Sequence, residues 1–358
     1  MLDTRKVKRL GVSVPTIYAE RIREILVKRS AIEPSLKPLR TGDKVVFPLK
    51  PDILQAEEIV PPDLGCQLVW EEFQERRTTP RSIREALAGL VRDELLEKLP
   101  SSYDIVGDIA VVHIPEGLEQ LGEQIGEAII RVNPSVKVVL GEAGPVEGVY
   151  RTRRLVHLAG EARTFTAHKE HGCVFHVDLE KVYFNPRLAG ERMRIAGLTR
   201  SDEVVADMFA GVGPFAVAIA KHAGARVYAS EINPEAYDLL VKNIQVNRLT
   251  GRVVPLFGDC RTTFSNNQVT ADRVVMNYPS DPFSFLDTAL KILRGRGVIH
   301  LYGFAEDTEE WRSKILERLT ELGASCDIMV KRLKPVSPSR SLMVADIEVR
   351  SSRPARTS

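Results

Sequence analysis

The residues best placed to do chemistry stand at the ends of four apolar runs. Asp207 follows Val204-Val205-Ala206, and Glu231 closes the run that starts at Ala225. Asp259 follows Val253 to Gly258, and Asn277 follows Arg273-Val274-Val275-Met276. Each run reads as a buried strand of a parallel sheet. Ligands of open α/β sheets bind outside the carboxyl ends of the strands. A carboxylate one βα unit after the first strand can accept hydrogen bonds from both ribose hydroxyls of a nucleoside, which is where Glu231 falls. Asp259 falls where an adenine edge is met. After Asp207 comes Phe209-Ala210-Gly211-Val212-Gly213-Pro214. Its glycines allow a tight turn and close approach to a ligand, and Pro214 fixes φ for a first helical turn. The dinucleotide fingerprint G-x-G-x-x-G is not met, because Pro-Phe follows and the third glycine is missing. The plain alternative for each stretch alone is an ordinary strand-turn-helix corner.

These strand ends need a sheet to present them. Asn233-Pro234 supplies an N-cap and a first-turn proline for the helix after Glu231. Asn185-Pro186 begins an earlier helix that carries Leu188, Glu191, Arg192 and Ile195. Past Asn277 the pattern predicts a helix over 285–293, a strand over 297–302, a helix over 308–322 and strands over 327–333 and 342–349. Residues 186–350 thus form one α/β domain, with 351–358 a disordered tail. Residues 66–185 predict an α+β domain with one open sheet face. Its elements are a helix over 82–99 opened by a Ser82/Glu85 capping box, a strand over 105–112, a helix over 118–131, and strands over 136–140, 150–157, 164–168 and 172–178. Residues 1–65 form a small module. It has a helix over 19–28 with a stripe of Ile22, Ile25 and Leu26, a strand over 45–49, and prolines that mark a linker near 61–65.

The chain has 358 residues, 44% hydrophobic and 27% charged, which fits a globular protein of two or three domains. A net charge of +2 does not by itself demand a nucleic-acid partner. Basic residues do cluster at Arg151-Thr152-Arg153-Arg154 and at Lys331-Arg332-Leu333-Lys334 with Arg340. Each cluster is either a solvated face or a phosphate contact. No apolar run is long enough to span a bilayer, and Met1 to Arg9 lacks the apolar core of a signal peptide. A cytoplasmic location without membrane contact is expected. The four cysteines are far apart and show no metal spacing, so reduced thiols are expected and no protein-held metal.

Further stretches narrow the reading. They are Tyr150-Arg151-Thr152-Arg153, His157-Leu158-Ala159-Gly160-Glu161, His168-Lys169-Glu170, the run from Val182 to Arg192, and Asn277-Tyr278-Pro279. Together with the loop from Asp207 to Phe215 and Glu231-Ile232-Asn233-Pro234, they make the chain resemble the archaeal and eukaryotic tRNA (guanine-N1-)-methyltransferases. That family modifies the guanosine at tRNA position 37. The resemblance implies a class I (Rossmann-like) methyltransferase domain, an RNA-binding domain before it, and an N-terminal module that docks on the tRNA elbow. It implies S-adenosylmethionine as methyl donor, the tRNA anticodon loop and elbow as partner, and a monomer. Mg²⁺ is a possible further cofactor, with no visible motif of the chain to ligate it. The cofactor would be held by Tyr183, Arg192, Asp207, Phe209, Gly211, Gly213, Pro214, Glu231, Ile232, Asp259 and Asn277, with Asp207 on the methionine amino group.

The implied catalytic set is Glu191, Arg151, Asn277 and Pro279. Guanine N1 carries a proton at neutral pH, so a base is needed, and the resemblance puts Glu191 there. Arg151 would stabilise charge spreading to O6. Asn277 would read a base edge, and Pro279 would stiffen the loop. Glu191 also has a bland reading, a helix-surface acid paired with Arg194. Tyr302 reads as packing. One departure stands out: the family usually shows Asn-Leu-Pro where this chain has Tyr278, which is expected to add a stacking surface or to alter the purine accepted. Two other functions compete. One is the related aminocarboxypropyl transfer of the wybutosine pathway, or a bifunctional methylation of a tricyclic guanosine derivative. The other is a tRNA-binding protein without catalysis.

Overall fold

The structure, a computed structural model, describes residues 6–53, 64–75, 80–144, 154–337 and 339–352. The chain divides into two units, Met1–Pro80 and Arg81–Ser358. In the first unit, β1 (Lys6–Pro15), β2 (Leu39–Thr41), β3 (Lys44–Pro48) and β4 (Gln67–Gln74) form an antiparallel sheet of order β2-β3-β1-β4. Helix α1 (Ala19–Lys28) lays Ile22 and Leu26 against Val12, Val14, Val45 and Phe47, the stripe its spacing predicted. The module does not stop at residue 65. β4 pairs with β1 from Lys6 to Ser13, so it completes the first sheet. The proline-marked linker lies largely outside the described residues.

The second unit opens with helices where one was expected. Helices α2 (Ile83–Leu87) and α3 (Asp93–Leu96) replace the helix over 82–99. The break comes at Gly89, whose φ of +75° favours glycine. Ser82 does cap α2, accepting from the Glu85 amide at 3.1 Å. The Glu85 carboxylate, however, accepts from the Arg81 amide rather than completing the box at Ser82. The strand over 105–112 is a hairpin, β5 (Asp104–Val106) and β6 (Ile109–His113), turned at Gly107-Asp108. With β7 (Val138–Glu142) and β8 (Leu155–Gly160) it forms a four-stranded sheet. Alternate residues of β6 feed two cores. Ala110 and Val112 pack toward α4 (Gly122–Val132), while Ile109 and Val111 pack with Cys173, Phe175 and Val177 of β10 (Cys173–Asp178). The sheet face expected to be open is therefore covered. β10 pairs in turn with β9 (Phe165–Glu170).

The remaining elements are a doubly wound sheet. Helix α5 (Ala189–Leu198) leads into β11 (Val204–Asp207), α6 (Pro214–His222), β12 (Arg226–Glu231), α7 (Pro234–Val246), β13 (Arg252–Phe257), α8 (Cys260–Asn266) and β14 (Ala271–Met276). Then come α9 (Leu286–Ile292), β15 (Leu293–Ala305), α10 (Thr308–Glu321), β16 (Ala324–Pro335) and β17 (Ser341–Ser352). The strand order is β13-β12-β11-β14-β15-β17-β16, parallel up to β15 and antiparallel thereafter. The order reverses between β11 and β14, the place where such sheets open a ligand crevice. Ser351 and Ser352 close β17 and so are not part of a disordered tail; residues 353–358 lie outside the described residues. No helix among the described residues is long and apolar enough to cross a membrane.

Candidate active site

The carboxyl ends of β11, β12, β13 and β14 surround a cavity of about 280 Å³. Of the residues expected to hold a nucleoside ligand, Tyr183, Arg192, Phe209, Gly211, Pro214, Glu231, Ile232, Asp259 and Asn277 line it. Glu231 organises one side. Its carboxylate accepts the Gly211 amide and the Asn233 amide, both at 2.7 Å, and burial pushes its pKa up. Asp259 caps α8 by accepting the Arg261 amide at 2.8 Å, and its bonds to the Arg261 guanidinium hold it below the usual carboxylate range. Gly213 does not line the cavity. It sets the turn, with a φ of +88° and its missing Cβ 2.5 Å from Leu240 Cδ1.

Two buried side chains beside this cavity hold polar atoms with unmet hydrogen bonds among the described residues. Arg192 is 2% exposed, and its terminal nitrogens hold both oxygens of Glu170 and the carbonyl of Asn185. Its Nε is buried with no hydrogen-bond partner among the described residues. Both oxygens of Asp207 are likewise buried and make no well-formed hydrogen bond among the described residues, although the Phe209 and Ala216 amides lie close enough to favour the charged form. Asp207 does not line the cavity, but Met208 and Phe209 immediately after it do. Burial pushes Asp207 up to about 7, with the Glu231 charge adding to it.

The Asp207 shift has a measurable sign. A carboxyl raised in the fold binds its proton more tightly there than in the unfolded chain. Stability is therefore lost as pH rises from the unfolded value near 4 through about 7. Asp207→Asn removes this loss. Relative to wild type, the variant is expected to gain roughly 4 kcal/mol of ligand-free stability between pH 4 and pH 8. Denaturation across that range checks it, and a pH-independent difference would mean that Asp207 is not perturbed.

A second cavity, of about 560 Å³, adjoins the first. Tyr183, Asn185, Leu188, Asn277 and Tyr278 line both. Pro279, Phe304, Lys334, Val336 and Leu342 line the second alone. Tyr278 stacks on Phe209 with centroids 4.9 Å apart and meets Phe285 edge-on. Its ring thus belongs to an aromatic cluster on the wall of the first cavity.

Glu191 is placed differently from the surface acid its spacing suggested. The pairing with Arg194 is present, but Glu191 is buried and lines neither cavity. Arg194 Nε donates to Oε2 at 2.8 Å and Nη2 to Oε1 at 2.7 Å. The Tyr302 hydroxyl donates to Oε1 at 2.7 Å; burial and the Glu191 charge push that hydroxyl far up, so it stays protonated. Tyr302 is therefore a polar partner as well as core. Arg151 lies outside the described residues. Sequence reasoning gave no site role to Asn185, read only as the start of a helix, nor to Arg261, Phe285, His300 and Asp346. For Asn185 and Phe285 a signal existed, a capping residue and an aromatic beside known strand ends. For His300 and Asp346 there was none. Among the described residues no group of His, Cys, Asp or Glu is placed to hold a metal.

Comparison with known proteins bears on the whole chain. Residues 166–331 match the TRM5/TYW2 methyltransferase domain, residues 83–164 the TYW2 N-terminal domain, and residues 11–57 the tRNA methyltransferase 5 N-terminal domain. The tRNA (guanine(37)-N(1))-methyltransferase Trm5b of Pyrococcus abyssi is 38% identical over 345 residues, covering 95% of this chain and 99% of its own. A solved complex of aTrm5 with tRNALeu superposes with a TM-score of 0.82 at 33% identity, covering 95% of this chain and 100% of its own. Methanocaldococcus jannaschii Trm5 in complex with adenosine gives a TM-score of 0.64 at 33% identity, covering 96% and 100%.

Proposed function

The chain belongs to the Trm5 family of tRNA methyltransferases, and from that premise we propose that it methylates N1 of the guanosine at tRNA position 37 from S-adenosylmethionine. The residues of the first cavity suit that donor. Glu231 offers acceptors to ribose hydroxyls and Asp259 an acceptor to an adenine edge. Arg192 Nε offers a buried donor to a carboxylate, and Asp207, which does not itself line the cavity but directly precedes the lining residues Met208 and Phe209, is the acceptor proposed for the ammonium group. When bound, S-adenosylmethionine supplies a methyl group on a sulfonium centre.

The observation that carries the reading is the wall shared by the two cavities. Asn277 and Tyr278 face both, so a donor in one and a base in the other meet across them. The guanine must leave the anticodon-loop stack to enter the second cavity. Glu191 takes the N1 proton. It does so after turning from Arg194 toward the base, since in the described arrangement its carboxylate is held by Arg194 and Tyr302. Asn277 reads a base edge, Pro279 stiffens the loop, and Arg151 meets charge at O6. A cytoplasmic location belongs to the same reading.

Nucleoside mass analysis tests the reading. Protein, S-adenosylmethionine and an unmodified tRNA with guanosine at position 37 are incubated and digested. N1-methylguanosine is expected. An aminocarboxypropyl adduct, or product only on tRNA that already carries a tricyclic base, would replace this reading.

Tyr278 belongs to the same reading. Its stacking on Phe209 in the wall of the first cavity supports a role in donor binding, although Tyr278 also lines the second cavity. Tyr278→Leu is expected to raise KM for S-adenosylmethionine roughly 3–10-fold, the worth of a lost aromatic pair. Guanosine should remain the base accepted. A changed product with unchanged donor KM would reverse the assignment.

A further inference from the structure

Behind Glu191 runs a line of buried charge that none of the binding chemistry uses. Arg194, which holds Glu191, also holds Asp346: Nη1 donates to Oδ2 at 2.7 Å and Nη2 to Oδ1 at 3.0 Å. Asp346 Oδ1 also contacts His300 Nδ1 at 2.7 Å, and Lys331 Nζ lies 3.6 Å from Oδ2. His300 Nε2 contacts Arg273 Nη1 at 2.7 Å, and Arg273 is paired with Glu203, its Nε 2.7 Å from Oε2. His300, Arg273 and Glu203 are all at most 6% exposed.

Donor counting fixes the histidine. A guanidinium only donates, so His300 Nε2 accepts from Arg273 and the ring proton is on Nδ1, donated to Asp346. Burial drives the ring toward its neutral form against the pull of Asp346, which agrees. Arg194 is thus one cation shared by two carboxylates: Glu191 is held besides by the Tyr302 hydroxyl, and Asp346 by His300 and Lys331. When Glu191 departs, Arg194 keeps two charge-assisted bonds and is not left as an uncompensated half-buried charge.

We propose that Asp346 is a positioning residue for methyl transfer: it retains Arg194 so that Glu191 can leave that guanidinium and reach the guanine. The proposal rests on Glu191 being the base. Without Asp346, Arg194 has Glu191 as its sole carboxylate in this cluster, and Glu191 is held back. The stored arrangement and the reactive one then differ more in energy, and the rate falls without loss of either substrate.

The test is single-turnover methylation by the full chain with S-adenosylmethionine and tRNA. Asp346→Asn is expected to slow the chemical step roughly tenfold, with unchanged affinities for both substrates. Adding Tyr302→Phe, which removes a donor that also detains Glu191, is expected to recover much of that loss. A purely structural Asp346 would give losses that add. Two substitutions of His300 guard against a misfolded Asp346 variant. His300→Asn places its amide where Nδ1 stood and keeps the bond to Asp346, so its rate should stay near wild type. His300→Gln places its amide where Nε2 stood and loses that bond, so its rate should fall in the same direction as Asp346→Asn. Wild-type rate in both Asp346→Asn and His300→Gln overturns the proposal, as does additive loss in the double variant. Full activity of Glu191→Gln, a separate variant, would instead remove the base on which the proposal rests.

Discussion

Glu191→Gln is expected to lower the single-turnover methylation rate by about 10²–10⁴-fold, the usual worth of a general base. Glutamine has the same shape, and its carbonyl oxygen can still accept from Tyr302 or Arg194. It cannot take a proton. Arg194 stays compensated by Asp346, so the fold should hold. The donor cavity does not include Glu191, so S-adenosylmethionine affinity should be unchanged. Rapid-quench methylation beside calorimetric donor binding separates the two. Wild-type turnover in Glu191→Gln would remove this residue from the chemistry and return it to the role of a buried structural acid.

Glu231→Gln is expected to weaken S-adenosylmethionine binding roughly 10²-fold or more. The Glu231 carboxylate already spends one oxygen on Gly211 and one on Asn233, and both amides belong to loops that line the cavity. A glutamine can accept from one amide, but its NH₂ group then meets the other donor to donor. Charge-assisted bonds of this kind are worth about 1.5–3 kcal/mol each, and a buried amide left unpaired costs more. The loss appears twice, in the loop's shape and in the acceptors offered to the ligand. Equilibrium binding of the donor measures it, with tRNA affinity as the control that should not move. A donor Kd within about twofold of wild type would mean that the loop is held by its glycines and proline alone.

What could be read from the amino acids was whatever is local. Each of the four strand ends is an apolar run closed by a polar residue, and Pro214 and Pro234 mark helices that follow. The four polar ends therefore pointed to one crevice, which Glu231, Asp259 and Asn277 line and Asp207 does not. The Glu191–Arg194 pairing was legible for the same reason, as neighbours on one helix face. Its burial was not, because Tyr302 and Asp346 reach Glu191 and Arg194 from β15 and β17, more than a hundred residues away. β1 was missed because Lys6, Lys8 and Arg9 at its start read as a charged end; only the following Gly11 to Val14 are buried. β4 carries Glu71 and Glu72 at its middle and was missed for a related reason, since Phe73 is its only buried side chain. Gly89 and Gly107 each sit within a run whose periodicity favoured continuity, and each supplies a positive φ that breaks it.

The position of β17 within the sheet has a consequence for how the protein is made. β17 lies between β15 and β16 yet follows both in the chain. On a ribosome, β15 and β16 emerge first with no partner between them, each exposing an open edge. The two edges must stay apart until the later segment slots in, since pairing them directly would shut out the strand that carries Asp346 and Leu342. The nascent chain thus passes through a stage in which the donor-side strands β11 to β14 have emerged while the acceptor-side wall is unfinished. Chaperone protection during that interval is where a slowed or truncated synthesis would be felt.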